Sequence, residues 1–323
     1  MSCKVGVAIV NYKTAPLVVE CLAALAGAGK EGAAISVCVV DNASPDDSLS
    51  VLNQAVAEHN WSAWVDVIAA PKNGGFAYGN NVAFDHLASL HCSHYWLLNP
   101  DTLPGPDSLQ VLLDYLAAHP DVGCVGSQLT DDDGSGQLSA FNFPRPLGEF
   151  VAASSIGFLI RLLPKLVVAS HTMNQRGSVE WVVGASMLMR AEVVNRVGHM
   201  DEKYFLYYEE VDYCRKIHQA GFDVHFVPES RVVHHVGAAT GISDLRRKQP
   251  PRRPSYWFES RRRFFRKNYG LFGAIVADVC WVLGFSCYRL KSLITGNGFP
   301  MPPKFFTDFL SHSVLNPLSY GNA

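Results

Sequence analysis

Short apolar runs, rich in β-branched residues, alternate with longer amphipathic stretches through the first 127 positions. VGVAIV (5–10), ISVCVV (35–40), 64–69, HYWLL (94–98) and 122–127 read as buried strands. Helical periodicity fills 16–29, 46–59, about 78–90 and 107–118; Gly27 and Gly29 close the first, and Ser44-Pro45 suit the start of the second. Strands alternating with helices predict an α/β fold with a parallel sheet and right-handed crossovers. Such sheets bind ligands beyond the carboxyl ends of their strands. Asn11, Asp41, Asn73 and Asp101 all fall there.

The middle of the chain is less regular. DDDGSG (131–136) is a turn, and the apolar stretch 147–168, broken by Pro164, predicts a lid or membrane-facing loop. A strand is expected over 181–189 and a helix over 191–197. A further helix runs from Glu209 to about Ala220 and stops at Gly221, before a strand at 224–227 and Pro228. Beyond 235 the character changes. Residues 240–255 are polar, basic and Pro-rich, as in a mobile loop, and 256–268 form a basic aromatic helix. Residues 271–288 are apolar apart from Asp278, a length that can span a bilayer, lie on it, or pack on the main domain. The chain thus divides into a domain over 1–240 and a basic, apolar helical extension over 241–323.

Composition changes this picture little, and charge placement changes it more. At 323 residues, 48% apolar and 17% charged, the chain can build a sizeable core and does not fit a disordered class. The net charge is −2, yet Arg246 to Lys267 holds ten Lys/Arg and a single acid, Glu259. Such a block suits phosphates: nucleic acid, anionic lipid or a diphosphate substrate. Eight scattered cysteines without a CxxC pair read as reduced thiols in a cytosolic protein. The short apolar run before Asn11 does not fit a secretory leader.

The chemistry concentrates in YFLYYEEVDYCRKIHQAGFDVHFVPESRVVHH (204–235). Glu209, Glu210 and Asp212 are crowded behind four aromatic residues, and crowded carboxylates raise one another's pKa. A general base, a metal site or both would use them; acidic residues also suit a helix N-terminus. Asp41 ends a strand, where it can accept from a base or ribose or cap the next helix. Asn73-Gly74-Gly75-Phe76, with Asn80, is a glycine-rich helix entry whose N–H groups can approach a diphosphate, or a plain turn. Asn99-Pro100-Asp101 can hold a hard divalent ion or simply turn the chain. His234 can complete a metal site with Asp101.

Taken together, VAIVNYKT, VVDNASPDDS, NGGFAYGNN, LLNPDT, WVVGASMLMR and FLYYEEVDYCRKIHQAGF, followed by VHHVG, resemble the family 2 inverting glycosyltransferases of the GT-A fold, in the rhamnosyltransferase-like branch. The resemblance covers about residues 4–240. It implies a Rossmann-like, mainly parallel sheet flanked by helices, acting on a nucleotide-diphosphate sugar such as dTDP-rhamnose with Mg²⁺ or Mn²⁺. Donor contacts fall to Asn11, Asp41, Asn73, Gly74, Gly75, Phe76, Asn80 and Asn99. Metal binding falls to Asp101 and His234, the acceptor side to Trp181, Gly184 and Tyr208, and the catalytic base to Glu210, with Glu209 and Asp212 as alternatives. Two departures stand out: Asn99 replaces the first carboxylate of the DxD pattern, and Glu210 stands where Asp is commoner. The basic aromatic tail adds the expectation of peripheral attachment to the inner face of the cytoplasmic membrane and a glycan or polyprenyl-diphosphate-linked acceptor. A nucleotidyltransferase would share the sheet but usually carries a Gly/Arg-rich loop where NYKTAP stands. A nucleic-acid-binding role for the basic block lacks any legible module.

Overall fold

The computed structural model describes residues 4–28, 34–169, 175–235, 250–296, 298 and 301–316. In chain order come β1 (Lys4–Asn11), α1 (Ala15–Ala28), β2 (Ala34–Asp41), α2 (Ser48–Glu58), β3 (Val65–Ala69), α3 (Gly75–Ser89), β4 (His94–Leu98), β5 (Thr102–Pro104), α4 (Ser108–Ala118) and β6 (Val122–Thr130). These are followed by β7 (Ala140–Phe141), α5 (Gly148–Ser154), α6 (Gly157–Leu162), β8 (Gly177–Ser178), β9 (Trp181–Val182), β10 (Ser186–Arg190), α7 (Ala191–Val197), α8 (Glu209–Gln219), β11 (Asp223–His234), α9 (Ser255–Thr295) and α10 (Phe305–His312). They form two compact units. The first is Met1–Ala140, Thr172–Phe205 and Glu209–Gly241; the second is Phe141–His171, Leu206–Tyr208 and Ile242–Ala323. The second unit therefore takes in more of the chain than the segment from 241 onward.

The first unit is built on a nine-stranded sheet of order β3-β2-β1-β4-β10-β6-β11-β5, with β8 paired to β11. The β3-β2-β1-β4 half is parallel, as the alternating pattern predicts. The other half is mixed, because β10 runs antiparallel to both β4 and β6. Side-chain alternation sorts the two faces. Val5, Val7, Ile9, Val37 and Val39 join Val18, Leu22, Leu25 and Leu52 in the main core. On the other face α3 comes so close that a Cβ at Gly79 would lie 2.6 Å from Val10 Cγ1.

Several expectations are corrected. Helix α3 starts at Gly75, three residues before the expected Tyr78, because the side chains of Asn42 and Asn73 engage its entry. The strand expected over 181–189 is broken between Val182 and Ser186. Strand β11 continues through Pro228 to His234, with a register shift between Val227 and Arg231 that takes the proline out of the ladder. Residues 147–168 are not an open loop: they form α5, α6 and a 3₁₀ turn at Pro164–Leu166. The loop expected over 240–255 falls mostly outside the described residues.

In the second unit the two expected C-terminal helices both form within α9 and meet at a kink at Gly270, whose φ of 70° and ψ of −178° are not helical. Helix α5 packs on α9 where a Cβ at Gly284 would meet the Phe150 carbonyl oxygen at 2.6 Å. The Phe309 ring of α10 stacks on Trp281 at 3.8 Å. At the centre, Arg261 is buried between Glu149 (2.7 Å) and Asp278 (2.5 Å), and Asp278 also accepts from Ser313 Oγ and the Val314 N–H. Burial alone would lower the Arg261 pKa, but Glu149 and Asp278 more than offset it and raise it.

Candidate active site

The in-register pairing of β1 with β2 sets Asn11 beside Asp41 at the carboxyl edge of the sheet. Asn11 Nδ2 donates to Asp41 Oδ1 at 2.7 Å, and Asn11 Oδ1 accepts from the Thr14 N–H and hydroxyl. Asp41 also takes the Ser44 hydroxyl at 2.6 Å and the Ser44 N–H at 3.1 Å. It does not cap α2, whose N-cap is Asp47. Its carboxylate instead shapes the loop leaving β2, and the helix-capping alternative falls away.

Asn42 was missed by the sequence reading, although it stands next to Asp41 in VVDN. It is buried, and its Nδ2 donates to Asn73 Oδ1 (3.1 Å) and the Gly75 carbonyl (3.0 Å), which joins the end of β2 to the glycine-rich loop. That loop does not offer free N–H groups to a diphosphate. The Gly74 N–H points to Asn42 Oδ1 (3.5 Å), the Gly75 N–H to Asn73 Oδ1 (3.1 Å) and the Phe76 N–H to the Phe205 carbonyl (3.0 Å). Its glycines are needed for shape: at Gly75 φ is +85° and an added Cβ would lie 1.9 Å from the Phe205 oxygen. Asn80 is buried and bonds the Phe76 carbonyl four residues back, within its own helix. The next residue, Asn81, ties α3 to the chain ahead of the aromatic run, through Met200 and Glu202.

Asp101 precedes edge strand β5, whose register sets Thr102 opposite His234 on β11. The His235 N–H donates to the Asp101 carbonyl at 2.9 Å, which locks the two segments together. Asp101 Oδ1 is buried without a hydrogen-bond partner, 3.5 Å from His234 Nε2. On the far side of the ring, His234 Nδ1 lies 3.1 Å from Gln137 Oε1. The Gln137 amide is fixed this way round because its Nε2 donates to the Asp131 carboxylate and the His234 carbonyl. Nδ1 therefore carries the proton, and in a neutral ring Nε2 turns a lone pair toward Asp101. A proton on Nε2 would pair the ring directly with Asp101, and with a neutral ring the two facing acceptors form a donor set that suits a hard divalent ion. Among the described residues no cluster of three or more His, Cys, Asp or Glu forms. These two side chains would thus share an ion with other ligands. Gln137 was invisible to motif reasoning, because only the tertiary turn at 131–137 brings it there.

Asn99 links this edge to the third group, its N–H donating to the Ala185 carbonyl at 3.1 Å. At the adjacent Gly184, an added Cβ would stand 3.2 Å from the Phe76 ring and 3.6 Å from Glu210 Cβ. The glycine-rich loop, the break between β9 and β10 and the start of α8 therefore meet. Glu210 keeps part of its surface open while its Oε2 is buried without a hydrogen-bond partner. Burial raises its carboxyl pKa, against the N–H groups of Glu210 and Val211, which favour the charged form. Glu209 and Asp212 are both buried, and the Tyr204 hydroxyl lies 3.4 Å from Asp212 Oδ1. Trp181 is buried on β9, which packs on α8. Tyr208 belongs to the second unit, where its ring meets Phe264 at 5.4 Å and Trp257 at 6.5 Å. Tyr207 and Tyr208 both hold φ near +70°, a strained pair just ahead of α8.

A parallel half-sheet with polar residues along its carboxyl edge, continued by a mixed half, is the GT-A fold of glycosyltransferases, as the solved structures below share it. A sequence profile described as "Glycosyltransferase like family 2" matches residues 3–270, and the chain belongs to that family. It is 28% identical over 250 residues to the N-acetylglucosaminyl-diphospho-decaprenol L-rhamnosyltransferase of Mycobacterium tuberculosis, covering 73% of this chain and 77% of that one. The rhamnosyltransferase WbbL of Escherichia coli K12 is 27% identical over 195 residues, 59% of this chain and 70% of that one. These relatives bear out the rhamnosyltransferase-like branch. The fold matches the mannosyltransferase PcManGT of Pyrobaculum calidifontis, in complex with GDP-Man and Mn²⁺, with a TM-score of 0.58 at 17% identity, over 92% of this chain and 77% of that one. It also matches residues 1–349 of S. aureus TarS in complex with UDP-GlcNAc, with a TM-score of 0.57 at 14% identity, over 95% and 79%.

Proposed function

We propose that this glycosyltransferase moves rhamnose from dTDP-rhamnose to a hydroxyl of a polyprenyl-diphosphate-linked glycan, with inversion at the anomeric carbon, at the inner face of the cytoplasmic membrane. Glu210 carries the mechanism: a carboxylate with raised pKa and an unpartnered buried oxygen, against Gly184 and Phe76. A raised pKa makes it a stronger base than a free carboxylate. The acceptor hydroxyl gives its proton to Glu210 as its oxygen bonds the anomeric carbon, and the bond to the departing diphosphate breaks on the opposite side. Single displacement inverts the configuration. Asn11, Asp41, Asn42 and Asn73 frame the nucleotide end, and Gly74–Phe76 form a wall whose shape is fixed from within. Asp101 and His234 would hold Mg²⁺ or Mn²⁺. When bound, that ion supplies positive charge to the leaving diphosphate. The names of the mycobacterial and E. coli relatives support the sugar, and that of the mycobacterial relative supports the lipid-linked acceptor.

The test is a panel of nucleotide sugars with and without Mn²⁺, scored by protection against thermal unfolding. A donor at a hundred times its Kd should add about 2.7 kcal/mol to stability. We expect protection by dTDP-rhamnose with Mn²⁺, lost in Asp101→Asn. Protection by a different donor alone would overturn the rhamnose assignment, and protection by none would overturn the donor site.

A further inference from the structure

The second half of α9 has two apolar faces. At 100° per residue, Ala274, Ala277, Asp278, Trp281, Gly284 and Tyr288 fall on one side, and all are buried within the second unit. Phe272, Val279, Leu283, Leu290, Leu293 and Ile294 fall within about 60° of one line on the opposite side. These are exposed, Phe272 at 80%, Leu293 at 77% and Ile294 at 76%. The stripe runs about 33 Å at 1.5 Å per residue. Lys291, whose Nζ reaches the Ser155 carbonyl at 3.1 Å, brings it to the junction of α5 and α6, where Phe158 (71%) and Leu162 (60%) are also exposed. Scattered surface leucines need no explanation, but an aligned stripe of this length does.

Charge selects the occupant. Across residues 147–169 and 271–296 the exposed charges are Arg161, Lys165, Arg289 and Lys291, all basic. The only acids there, Glu149 and Asp278, are turned inward and held by Arg261. Arg289 and Lys291 lie on the two flanks of the stripe, about 100° to either side of its line, where long stems can lie along lipid and present charge to headgroups.

We propose that the Phe272–Ile294 face of α9, with Phe158 and Leu162 of α6, is a docking surface for an anionic lipid bilayer, and that α9 lies in the interface without crossing it. By length and composition α9 could span. Its inner face argues against that: α5 packs against Gly284, and Asp278 is fixed in a buried ion pair, so lipid has access to one side only. This deepens the reading of a lipid-linked acceptor by supplying the surface that brings the enzyme to it, and it is testable without turnover.

The full-length chain is sedimented with phosphatidylcholine vesicles, with and without phosphatidylglycerol. Binding is expected chiefly to the anionic vesicles. Leu290→Gln with Leu293→Gln should weaken it at least about tenfold, since each buried leucine contributes substantially. Arg289→Gln with Lys291→Gln should weaken it about tenfold or more on anionic vesicles only. Alkaline carbonate should release the chain from cell membranes. Turnover on a short-chain, water-soluble acceptor should be unchanged in both variants, so failure of docking and failure of the acceptor assignment are distinguishable. Wild-type-like binding by the leucine variant, a dimer that the leucine variant converts to monomer, or retention after carbonate would each overturn the proposal.

Discussion

Gly75→Ala tests whether the glycine-rich loop acts through its shape. Gly75 holds φ at +85°, where a Cβ costs about 1–2 kcal/mol. The new Cβ would also lie 1.9 Å from the Phe205 oxygen and 2.6 Å from its carbonyl carbon. Reaching an ordinary contact requires the two segments to part by about 1.5 Å, since such contacts begin near 3.4 Å. The Phe76 N–H to Phe205 carbonyl bond, now 3.0 Å, cannot survive that movement, which adds about 1 kcal/mol. The expected loss is about 2–3 kcal/mol, together with a weaker grip on the proposed donor, because the Asn42 and Asn73 contacts share the loop. Gly134→Ala isolates the strain term: φ is +80° and nothing lies within 4 Å of the new Cβ. Denaturant unfolding and donor KM are measured for both variants. If Gly75→Ala is no worse than Gly134→Ala in stability and leaves donor KM alone, the argument from loop shape is wrong.

Two further outcomes follow from buried charge. Glu210→Gln should lower kcat by about 10²–10⁴-fold with donor and acceptor saturating. Because the folded state raises the Glu210 pKa, its contribution to stability is whole below the ordinary carboxylate range, near pH 4, and is lost as pH rises through the raised value. The variant lacks that loss, so its Tm should match wild type near pH 4 and exceed it toward neutrality; a Tm below wild type at pH 7 would refute the burial argument. Arg261→Met should destabilise the second unit by about 3–5 kcal/mol, by stranding Glu149 and Asp278. Part of that loss should be recovered on mild acidification in a thermal unfolding series, as the stranded carboxylates take up protons.

The parallel half of the sheet was legible because β1, β2 and β4 are short apolar runs that lead into polar residues and are buried on both faces over most of their length, while the edge strand β3 is only partly buried. The strand-end residues Asn11, Asp41 and Asp101 followed from the same pattern. The antiparallel insertion of β10 was not legible, since WVVGASMLM reads as one strand and only packing shows the break at Val183–Ala185. The extent of β11 was hidden by Pro228, whose usual meaning is a stop and which a bulge accommodates here. Asn42 and Gln137 escaped for another reason. Their partners lie 31 and 97 residues away, and an amide carries no motif of its own.

The segment from Phe205 to His234 nevertheless has an internal logic that the crowding of carboxylates only hinted at. Its first residue fixes the glycine-rich loop through one carbonyl, taken by the Phe76 N–H. Five residues on, Glu210 faces that same loop across Gly184. Its last residue, His234, faces Asp101 with its ring oriented by Gln137. Helix α8 and strand β11 are the rigid elements between these points. The proposed base and the carboxylate–imidazole pair are thus set by one continuous stretch of chain, and the two strained tyrosines precede the helix that carries the base.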